Sequence, residues 1–284
     1  MKFLRFGPAG AERPGCLDAA GTIRDLSGLI EDFTPATITC ETLARLADTD
    51  LSALPAVPAG TRIGPCVGSA RNFYAVGLNY ARHARETNNP EPAEPVLFSK
   101  STSSICGPDD PIILPKGSVK TDWEVELGIV IGRECEHVGE ADALDHVAGY
   151  CTINDVSERA FQIERGGQWI KGKSARNFGP IGPWLVTPDE VGDPQDLALT
   201  LSVNGETMQD SSTSDMIFGV ATIISYMSHF MRLMPGDIIA TGTPEGVGLG
   251  FTPPRFLRAG DVVELCVEKL GAQRQVVIAH RSQA

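Results

Sequence analysis

The seven cysteines, Cys16, Cys40, Cys66, Cys106, Cys135, Cys151 and Cys266, form no C-x-x-C pair. They are scattered and odd in number, which argues against a disulfide framework or a zinc site and for a reducing compartment. No apolar run approaches the roughly 18 residues a membrane helix needs. The opening MKFLRFGPAG has only a short apolar patch, broken by Arg5 and Gly7, and does not read as a signal peptide. Basic residues are few. Lys and Arg number 24 against 36 Asp and Glu, for a net charge of -12, and no basic patch stands out, which argues against a nucleic-acid partner. Internal repeats and low-complexity tracts are also missing. These absences predict a soluble, cytoplasmic protein with no membrane partner. They leave small anions open as ligands, because those respond to local charge.

The 284 residues, 42% of them hydrophobic, have room for one large domain or a large domain with a small companion. KFLRF and GTIRDL read as strands and CETLARLADTD as a short helix. LPAVPAGTRIGP, with Pro55, Pro58, Gly60, Gly64 and Pro65, reads as a boundary. The expected division is a small N-terminal domain, 1–65, and a main domain, 66–284. The main domain is rich in strands. Asn204-Gly205 is a hairpin signal between LALTLS and ETMQ, and a terminal hairpin turns near Leu270-Gly271. In DMIFGVATIISYMSHFMRL, residues Ile217, Val220, Ile224, Met227 and Met231 share one helical face. Ser214 is the expected N-cap, and Pro235-Gly236 closes the far end. The fold class is α+β, β-rich with few helices.

DWEVELGIVIG reads as a strand with Trp123, Val125, Leu127, Ile129 and Ile131 on one face. The other face starts with Glu124 and Glu126, then continues as Gly128 and Val130. Residues two apart on a strand leave the same face with Cα atoms about 6.5 Å apart. A bare E-x-E is most often an exposed strand face, but here only one end of that face is polar. Asp155, at the end of the strand in GYCTINDVS, is a third carboxylate. An all-oxygen set suits Mg²⁺, Mn²⁺ or Ca²⁺ rather than Zn²⁺.

Elsewhere, His83 and Glu86 in LNYARHARET are three apart, so a helix would place them on one face, where a carboxylate fixes an imidazole's tautomer. In GQWIKGKSA, Lys171 and Lys173 are equal candidates on chemistry alone. Gln162 is an amide donor. Thr241 and Thr243 in TGTP lie at a strand end.

Several ordered motifs resemble the fumarylacetoacetate hydrolase superfamily: GLNYARHARE, EPVLFSKSTSSICGPDDPIILP, DWEVELGIVIG, GYCTINDVSERAFQ, GGQWIKGKSARNFGPIGPWLVT, VNGETMQ, DMIF and PGDIIATGTPEGVG. The opening MKFLRFGPAGAERPGCLDAAGTIRDLS resembles the bacterial branch of 2,4-diketo-3-deoxy-L-rhamnonate and L-fuconate hydrolases, which also holds many sequences labelled ureidoglycolate lyase. The resemblance implies a mixed β-sheet roll behind a small N-terminal domain, and a homodimer or homotetramer. It implies Mg²⁺, with Mn²⁺ as a substitute, on Glu124, Glu126 and Asp155. It places His83 and Glu86 as a catalytic pair on a lid that continues into the Pro-rich TNNPEPAEP. The spacing Trp-x-x-x-Lys from Trp169 selects Lys173 as the charge-neutralising group. Gln162 and Thr243 become binding groups for an oxo-acid substrate, Thr243 through its hydroxyl and nearby N–H groups.

The implied reaction is metal-dependent hydrolysis of a C–C bond in a 2,4-diketo-3-deoxy sugar acid, giving pyruvate and a hydroxy acid such as lactate. The alternatives on the same site are a ureidoglycolate lyase, an oxaloacetate decarboxylase and an oxo-acid isomerase. Two positions near the expected pocket depart from the family pattern. Ala160 stands where many members carry Asp, and Arg176-Asn177 where relatives often have Asp-Thr.

Overall fold

The computed structural model describes residues 1–280. Its centre is a nine-stranded mixed sheet. The strands run in the order Ile23–Asp25, Arg13–Leu17, Lys2–Phe6, Leu185–Val186, Val147–Asn154, Val125–Ile131, Ile238–Ala240, Phe73–Gly77 and Val96–Lys100. Every residue of the two central strands, 125–131 and 147–154, is buried. A strand covered on both faces needs no polar side, which is why DWEVELGIVIG runs on as Gly128 and Val130 beyond its carboxylates.

The two faces serve two cores. Val125, Leu127, Ile129 and Ile131 pack with the helix Val220–Ser228 and with Leu199, Leu201, Val263 and Leu265 of a second, five-stranded sheet. On the opposite face, Val130, Cys151 and Ile153 pack under Phe3, Leu26, Phe33 and the helix Cys40–Ala47. Segment 1–65 thus roofs one face of the sheet and also extends it, since Lys2 pairs with Val186 and Phe3 with Leu185. The connection at 55–65 runs back along the first strand, with Gly64 N–H donating to the Arg5 carbonyl (2.8 Å).

The Asn204-Gly205 hairpin forms as expected. Both residues hold the positive φ (53° and 79°) that a tight two-residue turn demands. The 217–231 helix is shorter than its periodicity predicts, spanning Val220–Ser228 with Gly219 rather than Ser214 as N-cap. Asn79 accounts for the lost start. Its carbonyl takes the Ile217 N–H (2.7 Å) and its Oδ1 takes the Phe218 N–H (2.8 Å), so this stretch pairs across the fold instead of continuing the helix. No helix among the described residues is long and apolar enough to cross a membrane.

Candidate active site

Strand register assembles the carboxylates. Asn154 pairs with Val125 and Ile153 with Glu126. The ladder continues one step further, with Asp155 N–H donating to the Glu124 carbonyl (2.9 Å), so Asp155 faces Glu124 across the strand ends. Glu124 lies just before the regular strand, and its N–H is held by Asn154 Oδ1 (3.2 Å). All three carboxylates are buried, and one oxygen from each lies within 4.8 Å of the others. Glu126 Oε2 accepts the Gly242 N–H (2.8 Å). Gly242 sits at φ +99°, and a Cβ there would lie 2.8 Å from Asn79 Cβ, so the donor's position depends on glycine.

Three buried cations surround this cluster. Lys173 Nζ bridges Glu124 Oε2 (2.6 Å) and Asp155 Oδ2 (2.8 Å). Lys100 Nζ donates to Asp155 Oδ1 (2.5 Å), to the Lys173 carbonyl (2.5 Å) and to the Val156 carbonyl (3.3 Å). Arg159 Nη2 meets Glu124 Oε1 (2.7 Å), while its Nε meets Asp122 Oδ2 (2.8 Å). Burial alone would raise the Glu124 carboxyl, but Lys173 and Arg159 outweigh it and hold the group well below the usual carboxylate range. Glu126 goes the other way. Burial pushes it well above its ordinary value, and Asp155 and Glu124 add to the push. No Lys or Arg among the described residues forms an ion pair with it.

His83 lies on the short helix Ala81–Glu86, with its side chain 8% exposed, and its Nδ1 is 2.9 Å from Glu86 Oε1. A carboxylate on Nδ1 fixes the proton there and leaves Nε2 as the basic nitrogen. The other Glu86 oxygen, Oε2, accepts the Gly246 N–H (3.0 Å), and Arg82 Nη1 meets Glu245 Oε1 (3.1 Å). The helix is thereby fastened down over the site.

His83, Glu124, Glu126, Gln162, Lys173 and Thr243 line one cavity of about 350 Å³. Glu86 and Asp155 lie directly behind, bonded to His83 and Lys173. All eight residues singled out from the sequence therefore converge on one place. Lys171, the rival of Lys173, is exposed and donates instead to the Arg165 carbonyl. Gln162 Oε1 accepts from Arg159 Nη1 (3.1 Å), which leaves the amide NH₂ as the donor end. Thr243 departs from its expected role in part. Its hydroxyl donates to the Val125 carbonyl (2.9 Å) and accepts from Gln209 Nε2 (2.8 Å), so it has no proton for a substrate and only its N–H remains. Arg176 and Asn177 do not line this cavity; they line another, beside Lys116 and His280.

Sequence reasoning assigned no role to Lys100, Arg159 or Asp122. Asp122 is fully buried and accepts from Trp123 N (2.8 Å), Gly248 N (2.6 Å), Leu249 N (3.0 Å) and Arg159. It ties the 246–250 loop, against which Glu86 docks, to the carboxylate cluster.

The donor set fits a hard divalent cation. Three oxygens stand within reach of one ion, none is nitrogen or sulfur, and Glu126 is a buried carboxylate lacking a positive partner.

Comparison with known proteins agrees. The family model described as fumarylacetoacetate (FAA) hydrolase C-terminal matches residues 72–278, and the chain belongs to that family. A protein of Burkholderia cenocepacia (strain HI2424) named "Putative hydrolase" is 58% identical over 276 residues, covering 97% of this chain and 98% of its own. The solved fumarylacetoacetate hydrolase of psychrophilic Exiguobacterium antarcticum superimposes with a TM-score of 0.87 at 38% identity, over 99% of this chain and 100% of that one. The maleylpyruvate hydrolase of Sphingobium sp. SYK-6, solved with manganese(II) and pyruvate, gives 0.82 at 29% identity, over 99% and 100%. The fold is that of the family, and the chain is an enzyme of hydrolase or isomerase type.

Proposed function

We propose that this chain hydrolyses the C3–C4 bond of a 2,4-diketo acid. The observation that carries the reading is His83, buried and backed by the partly exposed Glu86, lining one cavity with Glu124, Glu126 and Lys173. Glu124, Glu126 and Asp155 would hold a divalent cation, Mg²⁺ or Mn²⁺, which supplies Lewis-acid stabilisation of negative charge when bound. His83 Nε2 takes a proton from water, and Glu86 stabilises the imidazolium that forms. The water oxygen bonds to C4. Lys173 and the Gln162 NH₂ would donate to the oxygen that becomes negative there. Breaking C3–C4 leaves its electron pair on C3, which then takes a proton. One water is consumed, and the products are pyruvate and the acid formed from C4 and its substituent. The resemblance puts a hydroxylated tail on that head, as in the L-rhamnonate and L-fuconate type acids, with lactate as the second product.

The site's charge supports an anionic substrate. With a dication added, Lys100, Lys173 and Arg159 more than balance the triad and Asp122. The similarity to a solved "probable 2-hydroxyhepta-2,4-diene-1,7-dioate isomerase" of Mycobacterium abscessus, 33% identical, makes isomerisation the second reading. The water-activating pair favours hydrolysis. A panel of diketo acids, ureidoglycolate, oxaloacetate and hydroxydienoates, assayed with Mg²⁺ for pyruvate, glyoxylate and CO₂, tests it. Pyruvate from diketo acids is expected. Glyoxylate or CO₂ as the main product would overturn it.

A further inference from the structure

We infer that Gln209 is a positioning residue for both halves of the site, because it fixes the loop 242–246 on which Glu126 and Glu86 both lean. Its bearing on His83 rests on the hydrolytic reading given above. Gln209 closes the motif VNGETMQ and lies outside the cavity lining, on the second, five-stranded sheet.

A β-bulge aims it. In the strand Glu206–Ser212, Gln209 pairs with Leu201 while Thr207 pairs with Ser202, which leaves Met208 as an extra residue. The in-and-out alternation breaks there. Met208 and Gln209 are buried in succession, and the Gln209 amide is turned inward, 1% exposed.

Both ends of that amide are used. Oε1 accepts the Val125 N–H (3.0 Å), beside Glu126 on the central strand. Nε2 donates to Thr243 Oγ1 (2.8 Å), to the Pro244 carbonyl (2.9 Å) and, at longer range, to the Glu245 carbonyl (3.4 Å). Only an amide offers an acceptor at one end and two N–H donors at the other; a carboxylate of the same shape would lose the donors.

The loop held in this way directs one N–H to each half of the site. Gly242 N–H goes to Glu126 Oε2 (2.8 Å), and Gly246 N–H to Glu86 Oε2 (3.0 Å), whose other oxygen holds His83 Nδ1 (2.9 Å). The bulge also shapes the far end of the loop. Gly246 sits at φ +96°, and a Cβ there would overlap the Met208 carbonyl oxygen, so loop and bulge fit only with glycine. One side chain outside the cavity thus sets two carboxylates carried on different elements.

The test compares the parent with Gln209→Met, which keeps the length and removes every hydrogen bond, and with Thr243→Val, which removes the hydroxyl that Gln209 donates to. Metal-free protein titrated with Mg²⁺ by calorimetry is expected to bind about tenfold more weakly in Gln209→Met, the low end of the range for a group that orients a metal ligand, and by a smaller factor in Thr243→Val. At saturating Mg²⁺ with a diketo acid, Gln209→Met should lower kcat about tenfold with KM nearly unchanged. In a Glu86→Gln background the same substitution should lower kcat by no more than about twofold further, since both changes act on the Glu86–Gly246 contact. Unchanged Mg²⁺ affinity in both variants, or an equal kcat loss with and without Glu86→Gln, overturns the inference. If Gln209→Met shows no cooperative melting, Thr243→Val decides by the same comparisons. If the parent cleaves no diketo acid, the hydrolytic reading falls, and the Mg²⁺ titration alone decides the role of Gln209.

Discussion

The two halves of the site rest on unlike supports. Glu124, Glu126 and Asp155 sit on or beside the two central strands of a nine-stranded sheet, buried, with strand register fixing each against the next. His83 and Glu86 sit on a six-residue helix whose N-cap, Tyr80, makes no side-chain capping bond, followed by the exposed residues Asn88, Asn89 and Pro90. The helix is held to the rest of the site through Glu86 to Gly246 and Arg82 to Glu245. Few contacts of this kind are compatible with opening and closing, whereas the sheet half cannot move without unfolding. The candidate metal half is therefore set by the sheet, and the candidate base by a short helix with fewer polar ties. Binding and proton transfer should be separable by mutation.

The largest effect should come from emptying the sheet half. EDTA is expected to abolish activity, and Mg²⁺ or Mn²⁺ to restore it, with the fold intact throughout because neither of the two large cores contains a residue of the triad. Full activity in a sample shown by elemental analysis to be metal-free would end the assignment of the triad.

Breaking the helix half should leave binding alone. His83→Ala is expected to lower kcat by about 10²–10⁴, the range for a positioned general base. Oxalate or pyruvate should still bind to the metal-loaded protein. Glu86→Gln should be milder, about tenfold. The carboxylate uses one oxygen for His83 and the other for Gly246, and an amide has only one acceptor to share between them. Near-normal hydrolysis by His83→Ala would place the base elsewhere.

The same contrast explains what could be read in advance. Period places Glu124 with Glu126 on one strand face and His83 with Glu86 on one helix face, but it is the family resemblance that marks these pairs as a site. Lys100, Arg159 and Asp122 carry no such mark. Lys100 finds Asp155 across 55 residues, and Arg159 finds Asp122 across 37. A buried Lys bonded to a carboxylate looks, in the sequence, like any Lys in a strand. The docking of the Ala81–Glu86 helix was hidden for the same reason, since Glu86 and Gly246 are 160 residues apart. Periodicity also misled once. The apolar spacing from Ile217 to Met231 is helical throughout, but Asn79 takes the N–H groups of 217 and 218, and only tertiary structure shows that. The Thr243 hydroxyl is lost to substrate in the same way, through the Val125 carbonyl, 118 residues distant, and Gln209, 34 residues distant.

The smallest effect probes the sheet half from within. Burial, then Asp155 and Glu124, hold the Glu126 carboxyl well above its ordinary 4.5 in the folded chain. A carboxyl whose pKa rises on folding contributes stability fully below its unfolded value, and that stability is lost as pH climbs toward the folded value. Metal-free protein should therefore weaken from about pH 4.5 upward on account of Glu126. Glu126→Gln keeps the size and an acceptor for the Gly242 N–H but removes the charge. At pH 7.5 without metal it is expected to melt roughly 2–6 °C above the parent, for about 1–2 kcal/mol of relieved burial and repulsion. At pH 4 the two should melt together. Added Mg²⁺ should reverse the order, because it stabilises only the protein that binds it. A lower melting temperature for Glu126→Gln at neutral pH without metal would show that Glu126 is stabilised by the chain itself rather than by a cation.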